Sequence, residues 1–139
     1  MMTTREGGCL CGELRYEVTG EPLAVTVCHC PDCQGQSGSA FGMSMIVPEA
    51  QFRWLEGTPR TWSTHAASGA TKDCFFCPAC GTRILNALGS LPGNLNIKPG
   101  TLDDRSWLDP TMQVWTDTKQ PWLSLLEGRP AFARNPGDG

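Results

Sequence analysis

No lysine or arginine in this sequence stands next to another, and the net charge is −3 with a pI near 5.3. The basic surface that nucleic acids select is therefore missing, and neither DNA nor RNA is expected as a partner. No stretch approaches the roughly 18 consecutive apolar residues of a membrane-spanning helix. The opening Met1-Met2-Thr3-Thr4-Arg5-Glu6-Gly7-Gly8 also lacks the apolar centre of a secretory signal. A cytoplasmic location with no membrane partner is the expectation. Long helical periods are absent too, because sixteen glycines and eleven prolines cut the chain into short apolar segments. No internal repeat is visible, although pairs of cysteines recur.

What remains is a chain of 139 residues, 40% hydrophobic and 18% charged, enough for one domain with one core over 1–139. Its ends, 1–6 and 135–139, are polar or rich in Gly and Pro and are expected to fray. Glu13 to Val18 alternates as a strand does, and Ala24 to Val27 runs into the first of three clustered cysteines. Further strands are expected at Phe41 to Val47, Phe52 to Leu55, Arg60 to Ser63, Lys72 to Phe76, Thr82 to Leu88, Asn94 to Lys98 and Gln113 to Thr116. Each is bounded by Gly, Pro or Asp. The class is all-β with little helix; the exceptions are Pro31 to Gln36, one helical turn after the cysteine cluster, and Pro121 to Glu127, where proline at the first position permits a short helix.

Eight cysteines in a chain with no export signal read as reduced thiols that bind metal rather than as four disulfides. Cys77-Pro78-Ala79-Cys80-Gly81 has the form of a zinc knuckle, a tight turn that aims two sulfurs at one ion, with a glycine free to adopt positive φ. A structural zinc takes four ligands, and Cys9-Leu10-Cys11 is the evident second pair, since residues two apart on a strand share a face. Cys28-His29-Cys30-Pro31-Asp32-Cys33 places three thiols within six residues, which calls for a second metal. Two zinc ions per chain follow. Cys74 is an eighth thiol that would close the second site if it joined it. It lies three residues before Cys77, however, where a strand turns the two side chains to opposite faces, and it reads as core.

Three thiolates on Zn²⁺ leave a formal charge of −1, so such a metal is a weak Lewis acid toward water but still accepts a soft thiol and deprotonates it. Activation of a thiol substrate is the chemistry expected at Cys28, Cys30 and Cys33, ahead of hydrolysis.

Taken together, Gly7-Gly8-Cys9-Leu10-Cys11-Gly12, the Cys28 to Cys33 triplet, Ser37-Gly38-Ser39, the Cys77 knuckle, Gly100-Thr101-Leu102-Asp103-Asp104, Val114-Trp115-Thr116 and Gln120-Pro121-Trp122 resemble the glutathione-dependent formaldehyde-activating enzyme family (centromere protein V / formaldehyde-activating domain). The resemblance covers most of the chain. It implies a β-tent fold with a structural zinc on Cys9, Cys11, Cys77 and Cys80 and a catalytic zinc on Cys28, Cys30 and Cys33. The reaction it implies is condensation of glutathione with formaldehyde to S-hydroxymethylglutathione, whose reverse is that of a carbon-sulfur lyase. Two positions depart from the family pattern. Gln34-Gly35-Gln36 stands where many relatives carry a basic residue, which reduces attraction for the carboxylates of glutathione. Gln113 stands where relatives often carry a histidine, and it cannot titrate. The alternatives are a protein that captures small thiols without accelerating a reaction, and a purely structural or interaction module.

The remaining candidates read more plainly. His29 is expected at the surface, with metal ligand or proton carrier as its other roles, and His65 is expected in a solvated loop from Ser63 to Gly69. Asp32 reads as turn chemistry. The five tryptophans, 54, 62, 107, 115 and 122, are expected to anchor the core or hinges rather than stack on substrate, and Phe41 to pack in the core or wall a pocket beside the triplet.

Overall fold

The structure is a computed structural model that describes residues 2–66 and 68–136. Its backbone falls into two compact units, Met1–Leu23 with Met45–Trp107, and Ala24–Ser44 with Leu108–Gly139.

The first unit is built from β1 (Thr4–Gly8), β2 (Arg15–Thr19), the end of β4 (Gly42–Pro48), β5 (Phe52–Glu56), β6 (Arg60–His65), β7 (Thr71–Phe76), β8 (Arg83–Leu88) and β9 (Asn94–Ile97). An antiparallel sheet in the order β1-β2-β5 has Tyr16 opposite both Gly7 and Trp54. The other strands pair antiparallel in the order β4-β9-β8-β7-β6. Alternation decides which side chains go inward: Tyr16 and Val18 on β2, Met45 and Val47 on β4, Ile84 on β8 and Leu95 and Ile97 on β9 are all buried. Tyr16 is fully buried, and its hydroxyl lies 2.8 Å from Thr101 Oγ1, which satisfies the one polar atom it carries inward. Phe52 stacks on its ring at 5.4 Å and Trp54 meets it edge-on at 6.5 Å.

The second unit holds β3 (Ala24–Cys28), α1 (Pro31–Ser37), the start of β4 and β10 (Met112–Val114). β10 runs parallel to β3, with Val114 opposite Cys28, and the His29 amide continues the ladder by donating to Val114 O at 3.1 Å. The cysteine triplet therefore starts where a buried strand ends. Beyond β10 the chain passes through Trp115, a non-glycine residue at φ 59, and returns so that Gln113 bridges Ala131. The Trp115 amide donates to Arg134 O, its indole N–H reaches Asn135 Oδ1 at 3.0 Å, and the Arg134 guanidinium lies 5.3 Å from its ring. These contacts hold a backbone conformation that bulky residues otherwise avoid.

The mainly β class holds, and all nine expected strands are present with ends displaced by no more than two or three residues. Two expectations are corrected. The segment before Gly7 does not fray throughout, because Thr4–Gly8 forms a strand. The glycines hid it, yet a Cβ on Gly7 would lie 2.6 Å from the Tyr16 hydroxyl and one on Gly8 2.2 Å from Leu14 O, so the close approach of β1 requires them. Pro121 to Glu127 is not a helix; a short 3-10 turn at Thr116–Thr118 precedes it instead. Among the described residues no helix is long and apolar enough to cross a membrane.

Candidate metal centres

Cys9, Cys11, Cys77 and Cys80 bring their sulfurs together within 4.8 Å of one another in the first unit. Cys9 and Cys11 are 3.6 Å apart and Cys11 and Cys77 3.7 Å. Four sulfurs at zinc-thiolate bond length around a tetrahedral ion stand about 3.8 Å apart, so the cluster has the dimensions of a closed zinc site. Cys77 is fully buried; its sulfur accepts from the amides of Ala79 and Cys80 at 3.4 and 3.5 Å, and Gly81, at φ 78, donates to Cys77 O. That is the knuckle turn expected from Cys-x-x-Cys-Gly. The other pair is presented differently from the expectation. β1 stops at Gly8, and Cys9 to Gly12 is a turn closed by Gly12 N on Cys9 O, so loop geometry rather than strand alternation aims Cys9 and Cys11 together. Leu14 N donates to Cys9 Sγ at 3.2 Å and fixes that side chain.

Crowding tunes these thiols against one another. Thr82, through its hydroxyl and then its backbone, lowers Cys80 to about 5. The Glu13 amide pulls Cys11 down, but Cys9 and burial outweigh it and push Cys11 up to about 12.

The second cluster, Cys28, Cys30 and Cys33, has its three sulfurs within 4.8 Å of one another, all half-buried. Pro31 at the first helical position starts α1, and Cys30 caps it, its sulfur accepting from Cys33 N at 3.3 Å. The helix then places Cys33 one turn on, beside Cys30, while Cys28 arrives from the strand. Cys30 and Cys33 push the Cys28 thiol far up, and burial adds to it. Three sulfurs this close cannot all ionise without a cation, and three deprotonated cysteines are a zinc ligand set, so the residues fit the metal. No carboxylate or histidine among the described residues joins the group.

Gly42 completes the site in a way the sequence did not reveal. A Cβ at this position would lie 3.1 Å from Cys33 Cβ and 3.5 Å from its sulfur, inside the usual carbon-carbon packing distance of about 3.5–4.0 Å. Gly42→Ala should displace Cys33 at a cost of about 1–3 kcal/mol. Chelator competition will detect this as earlier release of one of two metal ions, with the second retained as in the parent protein. Equal retention of both would remove Gly42 from the site.

His29 is not at the surface. It is fully buried, because the alternation that turns Cys28 and Cys30 one way turns the residue between them the other. Its Nε2 lies 2.8 Å from Gln113 Oε1, and Gln113 Nε2 donates to Leu125 O at 2.9 Å. The amide oxygen is thus the acceptor and His29 Nε2 the donor, while Nδ1 is buried with no hydrogen-bond partner among the described residues. Gln34, next to Cys33, spends its whole amide similarly. Nε2 donates to His29 O at 2.8 Å and Thr118 O at 3.0 Å, and Oε1 accepts from Gln120 Nε2 at 2.8 Å. Neutral amides therefore hold residues 113–125 against the triplet.

The other candidates separate from both clusters. Cys74, buried on β7 opposite Trp62 and Asn86, belongs to neither sulfur group, so it does not close the second site. His65 is exposed but ends β6 instead of sitting in a loop; of the stretch Ser63 to Gly69, Ala67 lies outside the described residues. Asp32 is exposed in the first turn of α1. Trp62 and Trp122 are 53% and 71% exposed, so these two are not core anchors. Phe41 is half-buried with its ring 6.3 Å from that of His29.

Comparison with known proteins identifies the family and the fold. The family profile described as glutathione-dependent formaldehyde-activating enzyme matches residues 4–118. A crystal structure of a Rhodobacter sphaeroides protein, 20% identical, superimposes with a TM-score of 0.57 over 76% of this chain and 91% of that one, a likeness of fold. No curated protein matches by sequence.

Proposed function

Because the chain belongs to the glutathione-dependent formaldehyde-activating enzyme family, which carries a formaldehyde-activating, glutathione-related function, we propose that it is a zinc enzyme joining a small thiol, glutathione or similar, to an aldehyde such as formaldehyde. Cys9, Cys11, Cys77 and Cys80 hold a structural zinc, and Cys28, Cys30 and Cys33 a catalytic one. The observation that carries this reading is the unequal sulfur count, four in one cluster and three in the other, with no further ligand among the described residues beside the three.

Zinc on three thiolates supplies a soft acceptor that takes a substrate thiol in its deprotonated form. The chain's own contribution is placement. α1 and β3 fix the three cysteines, and the amide network around Gln34 and Gln113 holds the surrounding backbone still, so that a thiolate and an aldehyde meet in a defined orientation. In the reaction the sulfur forms a bond to the aldehyde carbon, the carbonyl π pair moves to oxygen, and that oxygen takes up a proton. The product is the S-hydroxymethyl adduct, and the reverse steps make a carbon-sulfur lyase.

Exchange NMR on the zinc-loaded protein with glutathione and formaldehyde tests this. Adduct should form and break faster than in protein-free solution. An unchanged exchange rate would leave at most a protein that captures thiols and would end the enzyme reading.

A further inference from the structure

The second unit carries three cationic side chains among its described residues, and each is already engaged. Arg129 pairs with Asp109 at 2.6 Å and also donates to Pro110 O. Arg134 pairs with Asp117 at 3.3 Å and lies against Trp115. Lys119 turns its ammonium onto Leu123 O at 2.6 Å and Gln120 O at 3.4 Å. Against these three stand, among the described residues, four carboxylates, Asp32, Asp109, Asp117 and Glu127. Two of the four cancel the arginines locally. Glu127 accepts from Ser124. Asp32 is exposed between Cys30 and Cys33, so the fixed charge closest to the triplet along the chain is negative. Two neighbouring side-chain amides are committed as well, since that of Gln34 bonds His29 O, Thr118 O and Gln120, and that of Gln113 bonds His29 and Leu125 O. Three thiolates on a divalent cation add a formal charge of −1.

From this charge pattern we infer that the triplet site selects a low-molecular-weight thiol without carboxylates, neutral or bearing an ammonium group, over anionic thiols. The inference rests on the thiol-binding reading above and narrows it. A dicarboxylate thiol such as glutathione approaches a negatively charged unit with no uncommitted cation among its described residues to receive it. An aminothiol approaches the same field with the favourable sign.

Thiol binding to the cobalt(II)-substituted protein, read from the sulfur-to-metal absorption band, tests the selection without relying on turnover. The probes are 2-aminoethanethiol, 2-mercaptoethanol, 3-mercaptopropionate and glutathione, each expressed as its thiolate concentration. At an ionic strength of about 20 mM the aminothiol should bind about tenfold more tightly than mercaptopropionate. At about 200 mM the gap should shrink to about threefold, because surface charges are screened within roughly a Debye length. Asp32→Asn should narrow the gap at low salt by about twofold and leave 2-mercaptoethanol unaffected. Equal or tighter binding of mercaptopropionate or glutathione at low salt, or a gap that salt does not change, would overturn the inference while leaving the thiol site in place. If no thiol alters the spectrum, the thiol-binding reading itself falls and the selection with it.

Discussion

Cys77→Ser should give a chain that no longer folds at room temperature. Its sulfur is fully buried, takes two knuckle amides, and stands 3.7 Å from Cys11, so the knuckle turn and the Cys9 to Gly12 turn meet at this sulfur. A structural zinc in a small domain contributes about 10–16 kcal/mol of apparent binding free energy, whereas whole domains are stable by only about 5–15 kcal/mol. Removing one of four ligands weakens that coupling and leaves three thiols crowded without the cation they share. Far-UV circular dichroism and amide proton dispersion will read the outcome. A cooperative melt within a few degrees of the parent protein would show that the four-sulfur cluster does not hold the unit together.

Cys30→Ser should do the opposite, keeping the fold and abolishing the chemistry. The Cys30 sulfur caps α1 by accepting from Cys33 N, and serine is among the best residues for that capping position. The helix therefore survives with a hydroxyl in place of the thiolate. The metal loses one of three sulfurs, and a thiolate is a far better zinc ligand than a neutral hydroxyl. Adduct exchange by NMR should fall at least about a hundredfold, ligand loss being more severe than the roughly 10–100-fold effect of losing an outer-shell partner. Thermal stability should remain close to the parent value. Retained exchange would mean that Cys30 does not belong to the working site.

The sequence carried the strands because their alternation is strong and Gly, Pro or Asp closes each one, and Pro31 marked the start of α1 for the same local reason. It carried the cysteine groups because knuckle and triplet are short-range patterns. The features it hid depend on partners distant in the chain. Gly7 and Gly8 weaken a strand on propensity alone, and only the facing Tyr16 and Leu14 explain them. Gly42 matters through Cys33, nine positions earlier. His29 looked like a polar residue between two ligands, and its burial became intelligible once Gln113, from β10, supplied a partner for Nε2. Pro121 to Glu127 has a plausible helical composition, but Leu123 O is taken by Lys119 and Leu125 O by Gln113. Side-chain donors, one of them twelve positions away on β10, thus take carbonyls that a helix would use.

The spacing of the two sulfur groups also separates them in time. Cys11 and Cys77 are 66 positions apart, so the four-sulfur cluster requires closure of a long loop and its entropic cost. The triplet spans six residues and needs no such closure. A newly made chain can therefore bring Cys28, Cys30 and Cys33 together before its sheets exist, whereas Cys9, Cys11, Cys77 and Cys80 meet only when the first unit assembles. Of the seven clustered thiols, three are gathered by neighbouring sequence and four by the fold.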